Sequence, residues 1–485
     1  MINMVLAMNR LKTIFTICGL LMVMGLSSCI EDGISTNVND QPTFSTDTLD
    51  LGPIFTEAGT PTHSFTVYNR HDKVMNISEI KFRDDAEEMF RFNVDGMSGK
   101  EFKNVEIRPN DSIYVFVEAT LKANGKDAPI VVNRHIDFVV HGKTSTVVVT
   151  AEGQDVERKH GVIIDTDTRF TANKPYQIFD SLVVKEGVTL TLDPGVTLYF
   201  HNNATLRVEG TLVSNGTVER PVNMTGDRID NVVNDLSFDL MAGQWAGVEF
   251  TPTSRNNYLT QTSIRNTVWG VFVDSVGVQE NPALTLINCQ LRNSQEYALA
   301  SIYSDVKAVG CEIADAAAGV VFLRGGNHVF NHCTFANYYL FSAFGGAAIQ
   351  LDHLNEEFDD LSGLPYMTAD FTNSIIYGLG TEISHGDLIG TGVTLRYCLL
   401  KSEGVDDENF ICCLWGQDPL YYTVRNEYIF DYRVKNESPA IAAGSPDFML
   451  PEAAFDRYGL PRGTVPDLGA YVYVPAEEDS EDKAE

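Results

Sequence analysis

A short phrase built around cysteine returns at a fixed interval in the middle of this chain of 485 residues. Its clearest copies begin at Asn288, Gly310 and His332 and place cysteines at positions 289, 311 and 333, two steps of 22 residues each. The phrase is β-rich, and a constant step of this size is what one coil of a stack of parallel strands requires, because each coil hydrogen-bonds to the previous one. Equivalent residues of neighbouring coils then lie about 4.8 Å apart. The repeat therefore predicts that the three cysteines form one column inside a wound stack.

Two further columns follow from the same register. Side chains two positions apart on a strand point the same way, so the residues two positions after each cysteine should also face inward. These residues are Leu291, Ile313 and Phe335. Stacked side-chain amides hydrogen-bond along such an axis and tolerate tight turns. A column of Asn and Asp residues lies four positions after each cysteine, or after the residue that takes the place of the cysteine in the earliest copy. We interpret this column as a structural turn ladder. Its members are Asn266, Asn293, Asp315 and Asn337.

The N-terminus has the features of a secretory signal over residues 1–28. Arg10 and Lys12 precede an apolar run at residues 14–26, which is short for a membrane span. The run ends in Leu26-Ser27-Ser28-Cys29, which resembles a bacterial lipobox, and Glu31-Asp32 resembles the surface-export signal of Bacteroidetes lipoproteins. The resemblance implies cleavage before Cys29, acylation of its thiol, and a lipid-anchored outer-membrane protein at the periplasmic face or the cell surface.

The formal net charge is -31 at pH 7, from 66 acidic and 35 basic residues. Nucleic acid and anionic membranes are bound by clustered lysine and arginine, so this charge argues against both as direct partners. The N-terminal lipid is then the predicted membrane contact, and cations or neutral glycans remain compatible partners. Beyond Cys18 and Cys29 no pair of cysteines has the C-x-x-C spacing of a zinc or redox site, and the three cysteines of the column are predicted to be small buried residues without a disulfide.

Residues 29–41 are polar and aperiodic, which favours a tether. Residues 42–155 contain short alternating strands separated by turn residues, the pattern of a small antiparallel sandwich. Leu51-Gly52 followed by Val67-Tyr68-Asn69 resembles the immunoglobulin-like domains of the spindle-protein and hydin type. The resemblance implies a sandwich that acts as a spacer or a protein contact.

Residues 188–212 alternate with period two and are interrupted by Pro194-Gly195 and Gly210, as short coil strands and their turns require. This succession resembles the opening coils of bacterial surface proteins of the pectate-lyase-like superfamily and implies a right-handed parallel β-helix over residues 161–415. The expected fold class is mainly β, with an N-terminal immunoglobulin-like β-sandwich followed by this β-helix. Residues 225–242 and 352–367 break the register and are predicted loops, where a rigid solenoid usually meets its ligands.

Near the C-terminus, Asp456-Arg457-Tyr458-Gly459-Leu460-Pro461-Arg462 with Pro466 to Tyr471 looks like the terminal signature of the choice-of-anchor Q β-helix proteins. That family commonly has aspartate where this chain has Ala442. We expect residues 416–475 to cap the last coil, because an open solenoid end exposes unpaired strand edges. The charged residues of the cap are expected to pair with one another; they are Asp456, Arg457, Arg462 and Asp467. Residues 476–485 are an acidic tail, predicted to be disordered.

Arg265 and Arg292 occupy matching positions on neighbouring coils and are predicted to stack on one outer face. A polysaccharide lyase of this fold needs carboxylates that hold calcium, together with an arginine or lysine base. No acidic column accompanies the two arginines in the sequence, so a lyase is kept as an alternative. Trp269 and Tyr297 follow the turn ladder on adjacent coils and are candidates for a shared surface that stacks against sugars.

A polygalacturonase-like hydrolase is the second enzymatic alternative. Asp359-Asp360, His385-Gly386 and Arg433-Val434-Lys435 occur in the order that this hydrolase uses, but the earlier Asn-Thr-Asp element is missing. The residues that would carry its chemistry are Asp359, Asp360, His385, Arg433 and Lys435.

Two groups of residues have a metal-binding alternative. The acidic residues of the second predicted loop could bind calcium, but they lack the spaced ligands and glycine of an EF-hand, so we favour a solvated loop. They are Glu356, Glu357, Asp359 and Asp360. His328 and His332 are expected on the outer face of a strand with Phe330, where zinc is possible and solvent-facing histidines are favoured.

Together these features predict a monomeric cell-envelope lipoprotein whose β-helix binds a glycan or another surface polymer. The alternatives are a carbohydrate-active enzyme, either lyase or hydrolase, and an adhesin that recognises protein. No cofactor is predicted, and calcium stays open.

Overall fold

The computed structural model describes residues 33–125, 128–233, 236–277, 280–342, 346–352, 367–386, 388 and 392–475. The protein is mainly β, with large parallel sheets and smaller antiparallel ones, and these residues contain no α-helix. No helix in the described ranges is long and apolar enough to cross a membrane. The predicted signal and Cys29 lie outside the described residues. The chain divides into two compact units, the first ending at residue 154 and the second beginning at Asp155, with a short stretch at 125–128 assigned to the second.

The first unit contains two five-stranded sheets, ordered β1-β3-β8-β5-β6 and β2-β10-β9-β4-β7. Its strands are β1 (Thr43–Phe44), β2 (Thr48–Phe55), β3 (His63–Tyr68), β4 (Met75–Phe82), β5 (Phe90–Val94), β6 (Met97–Gly99), β7 (Glu101–Ile107), β8 (Ser112–Ala119), β9 (Ile130–Val140) and β10 (Lys143–Gln154). All neighbours pair antiparallel except β2 with β10. Inward residues of both sheets form one hydrophobic cluster that includes Phe65 and Phe138. Alternating sequence thus gives each sheet one buried and one outward side.

The second unit contains thirty-one described strands, most of them four or five residues long. They are β11 (Glu157–Ile164), β12 (Thr168–Phe170), β13 (Tyr176–Val184), β14 (Thr189–Leu192), β15 (Thr197–Phe200), β16 (Thr205–Val208), β17 (Thr211–Asn215), β18 (Val222–Gly226), β19 (Asn231–Val233), β20 (Leu236–Ser237), β21 (Gly247–Phe250), β22 (Asn257–Thr260), β23 (Thr262–Thr267), β24 (Val271–Gly277), β25 (Leu284–Ile287), β26 (Gln290–Ser294), β27 (Tyr297–Ser304), β28 (Val306–Val309), β29 (Glu312–Ala316), β30 (Gly319–Arg324), β31 (Asn327–Asn331), β32 (Thr334–Asn337), β33 (Ile349–Leu351), β34 (Thr368–Thr372), β35 (Ile375–Gly378), β36 (Ile383–Ser384), β37 (Gly392–Arg396), β38 (Leu399–Leu400), β39 (Phe410–Ile411), β40 (Tyr421–Thr423) and β41 (Asp431–Val434). Short 3-10 turns occur at Phe238–Leu240, Asn426–Tyr428, Pro446–Phe448 and Pro451–Ala454.

Parallel pairing sorts most of these strands into three faces, and the chain visits the faces in the same order coil after coil. Face A contains β15, β18, β23, β26, β29, β32, β35 and β38, and face B contains β16, β21, β24, β27, β30, β33 and β36. Face C contains β12, β14, β17, β22, β25, β28, β31, β34, β37 and β39. The two halves of β13 pair with β15 and β16, which joins faces A and B into one sheet. Stacked coils of this kind are consistent with a β-helix or a related solenoid.

The cysteine column has the predicted geometry. Cys289, Cys311 and Cys333 are fully buried, and the N–H of Cys289 donates to the Cys311 Sγ at 3.4 Å. The inward neighbours Leu291, Ile313 and Phe335 are register partners on β26, β29 and β32. All six described cysteines are free, and burial raises the pKa of the Cys311 thiol, which therefore stays protonated and donates to backbone carbonyls. The column is thus a set of small, hydrogen-bonded core residues.

The turn ladder is also buried, but its hydrogen bonds differ from the expected stack of amides. Asn266, Asn293 and Asp315 adopt left-handed backbone conformations, with φ of 66°, 56° and 54°. Both asparagines donate from Nδ2 to the carbonyl oxygen of Asp239, at 2.6 and 3.1 Å, and Asp315 accepts from the Tyr432 hydroxyl at 2.6 Å. These three residues therefore fasten outer segments onto the stack, because their polar ends face those segments.

The prediction that His328, Phe330 and His332 share an outer face is wrong. Along β31 the side chains of His328 and Phe330 are buried and Val329 is exposed, and His332 is fully buried in the turn that follows. Phe330 determines which side chains of β31 face inward, because its ring stacks on the ring of Phe371 in the next coil, with 4.9 Å between the ring centroids. Within the described parts of the chain no three potential ligands are grouped as a metal site.

Residues 416–475, here called the C-terminal strap, run along the side of the stack, whereas the sequence led us to expect a cap on its last coil. Between Ser445 and Arg457 the strap passes successively earlier coils. Hydrogen bonds join Ser445 to Asn373, Phe448 to Asn331, Phe455 to Asn288 and Arg457 to Gln261. The turn residues between faces C and A offer side-chain amides there, which explains why the strap follows this line.

The charged residues of the strap bind backbone groups, whereas the sequence analysis paired them with one another. Asp456 accepts the N–H groups of Tyr458 and Leu460 on one carboxylate oxygen, and the buried Arg462 donates to two carbonyls near residue 470. Asp467 accepts from the N–H groups of residues 442 and 473, and Arg457 donates to the Asn288 carbonyl. Outside the β40–β41 pair the strap has little regular pairing, so side chains must satisfy many of its backbone groups.

Candidate functional site

The outward side of face A changes character along the stack. In the first four coils the outward residues are polar; they are Thr197, Tyr199, Asn223, Thr225, Ser263, Arg265, Gln290 and Arg292. In later coils the outward residues include Ala314, Ala336, Ile375 and Leu399, which are buried beneath apolar residues of the strap such as Tyr432 and Leu468. The strap therefore covers the apolar part of face A together with Arg292, and leaves the outward side of β15, β18 and β23 as the open surface.

A cavity of about 290 Å³ lies on this open part, and we call it the face A groove. Its floor consists of outward residues of β15, β18 and β23, and the excursion after β18 forms its wall. It is lined by Thr197, Tyr199, Asn223, Thr225, Gly226, Arg228, Ile229, Ser237, Asp239 and Arg265. The groove thus combines hydroxyl, amide, guanidinium and carboxylate groups on a rigid sheet.

Two arginines give the groove its cationic groups. The Arg265 guanidinium lies 3.1 Å from a carboxylate oxygen of Asp239, its side chain is 34% exposed, and its buried Nε has no hydrogen-bond partner among the described residues. Arg228 pairs with Asp230 at 2.7 Å and lies over the ring of Phe238 at 3.7 Å. Both guanidinium groups are therefore oriented by neighbours while part of their donor capacity faces the groove.

Tyr199 supplies the phenol on the groove floor. Burial raises the pKa of Tyr199, and the nearby Asp239 carboxylate acts in the same direction while Arg265 opposes it. The phenol is therefore protonated at neutral pH and can donate a hydrogen bond as well as accept one.

Arg292 is the register partner of Arg265 on the next coil, as predicted, but its environment differs. Its side chain is only 15% exposed and lies 2.9 Å from Asp315 and 3.6 Å from Glu312. Carboxylates therefore do accompany the arginines, a feature that was not recognised in the sequence because Glu312 and Asp315 belong to the next coil. Burial lowers the pKa of Arg292, but the two carboxylates raise it more, so the guanidinium is charged. Its guanidinium also lies 5.4 Å from the centre of the Tyr432 ring of the strap, so Arg292 contacts the strap, and only Arg265 of this pair lines the groove.

The aromatic candidates Trp269 and Tyr297 are half-buried on adjacent coils and do not line the groove. A Cβ added to Gly247 would lie 2.8 Å from the Trp269 ring, and one added to Gly319 would lie 2.8 Å from the Tyr297 ring. The Tyr297 hydroxyl donates to Gln350 at 2.9 Å. Each ring thus packs against a glycine of the stack.

The hydrolase candidates are only partly described. His385 follows β36 and lies 5.9 Å from the Phe410 ring, while Arg433 on β41 pairs with Asp431 and lies over Tyr422. Lys435 is exposed on the strap. No hydrogen bond, ion pair or ring contact joins His385, Arg433 and Lys435 in the portion of the chain that the structure covers. Asp359 and Asp360, and the calcium candidates Glu356 and Glu357, lie outside the described residues.

The groove residues Tyr199, Arg228 and Asp239 were not singled out from the sequence. Two of them belong to the excursion at residues 225–242, which was predicted as a ligand loop because it breaks the repeat. Tyr199 belongs to a regular coil strand, and its outward position on β15 follows from the alternation of that strand. Which coil the excursion covers could not be read from the spacing.

Comparisons with known proteins add little to this geometry. No family model matches the chain, and no curated protein matches it. One match is a solved structure of a family 123 glycoside hydrolase from Clostridium perfringens, described in connection with the hydrolysis of glycolipid glycans. Its TM-score is 0.17, and its sequence is 9% identical to this chain. The match covers 23% of this chain and 25% of the hydrolase. A likeness of this extent says nothing about the activity of this chain.

Proposed function

We propose that this protein is a lipid-anchored cell-envelope protein in which an immunoglobulin-like spacer at residues 42–155 precedes a right-handed parallel β-helix at 161–415. Its face A groove binds a glycan. The three-faced coil register and the lipobox-like sequence before Cys29 support the architecture and the anchor. The glycan function is supported chiefly by one observation: the open end of face A carries a cavity lined by both donors and acceptors.

The composition of the groove suits a sugar better than an apolar ligand. Saccharide hydroxyls both donate and accept hydrogen bonds, so a binding surface needs both kinds of group, as Asn223, Asp239 and Arg265 supply here. The groove spans three strands of face A, about 10 Å along the stack. That length fits a short saccharide segment, and an open side lets a longer polymer continue past it.

The test is affinity electrophoresis of the purified full chain through gels that contain dextran, arabinoxylan, galactan, polygalacturonate, chondroitin sulfate or hyaluronan. We expect at least one polymer to retard the wild type and Arg265→Ala to bind it about tenfold more weakly, because hydrogen bonds to charged groups contribute about 1.5–3 kcal/mol each.

The matched control is Arg255→Ala, which removes the same charge from the turn before β22, where Arg255 donates to the carbonyls of Pro252 and Ser254. It should bind like the wild type. Equal loss in both variants, or no retardation by any polymer, would refute the groove assignment. Analysis of the retained polymer for new reducing or unsaturated ends tests the enzymatic alternative at the same groove.

A further inference from the structure

The first unit has a second cavity, of about 670 Å³, on the outward side of its sheet β1-β3-β8-β5-β6. It is lined by Thr62, Arg91, Phe92, Asn93, Ser98, Gly99, Lys100, Phe116 and Glu118. From its sequence this unit was expected to act as a spacer or a protein contact. Strand pairing brings these residues together from four separate segments, which is why no local pattern revealed them.

Two large aromatic rings are exposed beside this cavity. Tyr114 and Phe116 are 56% and 38% exposed, on β8 at the centre of the sheet, while Val115 between them is fully buried. Their rings are stacked, with centroids 6.1 Å apart and an angle of 27° between planes. Adjacent exposed rings form an apolar patch, and such a patch is a candidate contact site for another molecule. Because β8 is paired on both sides, these rings lie on the face of the sheet and not at its edge.

Polar side chains surround the Phe116 ring in the same sheet register. Asn93 lies directly opposite Phe116 on β5, and its Nδ2 reaches the Ser98 hydroxyl at 3.3 Å. The Asn93 Oδ1 is buried and has no hydrogen-bond partner among the described residues. Arg91 lies opposite Glu118 with 3.8 Å between their charged atoms. An aromatic floor is therefore bordered by an unused amide acceptor and by groups that can donate.

We propose that this surface, the sheet platform, is a second saccharide site, at which a sugar ring stacks on Phe116 and its hydroxyls bind Asn93, Ser98, Arg91 and Glu118. The apolar C–H face of a sugar packs on an aromatic ring, and its equatorial hydroxyls point outward toward such a polar rim. A peptide that extends the sheet would use the free edge at β6 and not this face, because β8 has no backbone groups left to pair. The site is independent of the face A groove, since it belongs to the other unit.

The experiment applies the same six-polymer electrophoresis to the full chain and to Phe116→Ala, Tyr114→Ala and Phe116→Tyr. We expect at least one polymer whose dissociation constant rises at least fivefold in Phe116→Ala and in Tyr114→Ala, and less than twofold in Phe116→Tyr, which keeps the ring. Tyr258→Ala is the matched control, because Tyr258 is an exposed aromatic residue of face C, 42% exposed. It should bind like the wild type. Thermal unfolding of each variant confirms folding, since the substituted rings are outward.

Arg265→Ala separates the two sites. Binding that is lost in Phe116→Ala and kept in Arg265→Ala establishes the sheet platform whether or not the groove functions. The inference is overturned if every retained polymer binds Phe116→Ala as tightly as wild type, if Tyr258→Ala loses binding equally, or if no polymer is retained. Capture of a peptide or protein at the platform without any polymer binding would likewise overturn it.

Discussion

Replacing Arg292 with alanine should lower the free energy of unfolding by about 3 kcal/mol. Removing one partner of a buried ion pair typically costs about 3–5 kcal/mol, because the remaining charge is buried without compensation. Arg292 neutralises Asp315 and Glu312, whose side chains are 2% and 3% exposed. The lower end of the range is expected because tyrosine hydroxyls of the strap, Tyr432 and Tyr471, still donate to these carboxylates.

The matched control for this prediction is Arg265→Ala, which removes the register partner on the neighbouring coil. Its side chain is 34% exposed and its partner Asp239 is 44% exposed, so this pair should contribute less than about 1 kcal/mol. Urea unfolding monitored by tyrosine and tryptophan fluorescence measures both variants. Equal destabilisation by the two substitutions, or a change below about 1 kcal/mol for Arg292→Ala, would contradict a strap held by buried charge pairing.

Acid should destabilise the second unit through His328. Its Nε2 lies 2.8 Å from the Gly325 carbonyl oxygen, which can only accept, so Nε2 carries the proton. Nδ1 is buried and has no partner among the described residues, and its register neighbours Val306 and Ala369 are apolar. A second proton would therefore be buried without an acceptor, and burial lowers the pKa of His328 to about 4.

The sign follows from proton binding in the two states. An unfolded histidine takes up a proton near pH 6.5, whereas folded His328 does so only near pH 4, so between these values the unfolded state binds more protons. Stability is then present above about pH 6.5 and is lost as the pH falls toward 4. A pKa of about 4 in place of 6.5 corresponds to about 3 kcal/mol of stability.

The measurement is the urea-unfolding free energy at pH 7.5, 6, 5 and 4. His328→Gln keeps a donor for the Gly325 carbonyl but cannot titrate, so it should lose about 3 kcal/mol less than wild type between pH 7.5 and pH 4. Val329→Gln introduces the same residue at the exposed neighbouring position and should keep the wild-type pH dependence. A His328→Gln variant as acid-sensitive as the wild type would show that this histidine is not the cause.

The stacked coils were predictable because every coil has to pair its strands with those of the previous coil. A 22-residue step with inward residues at Cys311 and Ile313 fits one coil, and the observed register pairs Ile313 with Leu291 and Phe335. The phase of β31 was not predictable in the same way. The sequence His328-Val329-Phe330 fits a strand with either Val329 or its two neighbours facing inward. Ring stacking between Phe330 and Phe371 on separate coils decides that Phe330 faces inward.

The path of the strap and the position of the groove depend on contacts between distant segments. Gln261 and Arg457 meet although 196 residues separate them, and no local pattern encodes such a pairing. The sequence correctly placed Arg265 and Arg292 in one column, but their different roles arise from what covers each: an excursion above Arg265 and the strap above Arg292. The predicted loop at residues 225–242 was the better guide to the site, because an interruption of a strict repeat has to be accommodated outside the core.

Repeats separated by unequal lengths of chain stack as successive coils in the second unit. Val213, Val329, Asp370 and Thr394 lie in one outward column of face C, where Val329 pairs with Asp370 and Asp370 with Thr394. We would measure spin-label distances from position 213 to each of the other three by double electron–electron resonance, with Cys29 and Cys412 replaced by serine. We expect distances of about 19, 24 and 29 Å, with equal steps of about 4.8 Å per coil. Steps that grow with the number of intervening residues, or distances that do not increase in this order, would contradict it.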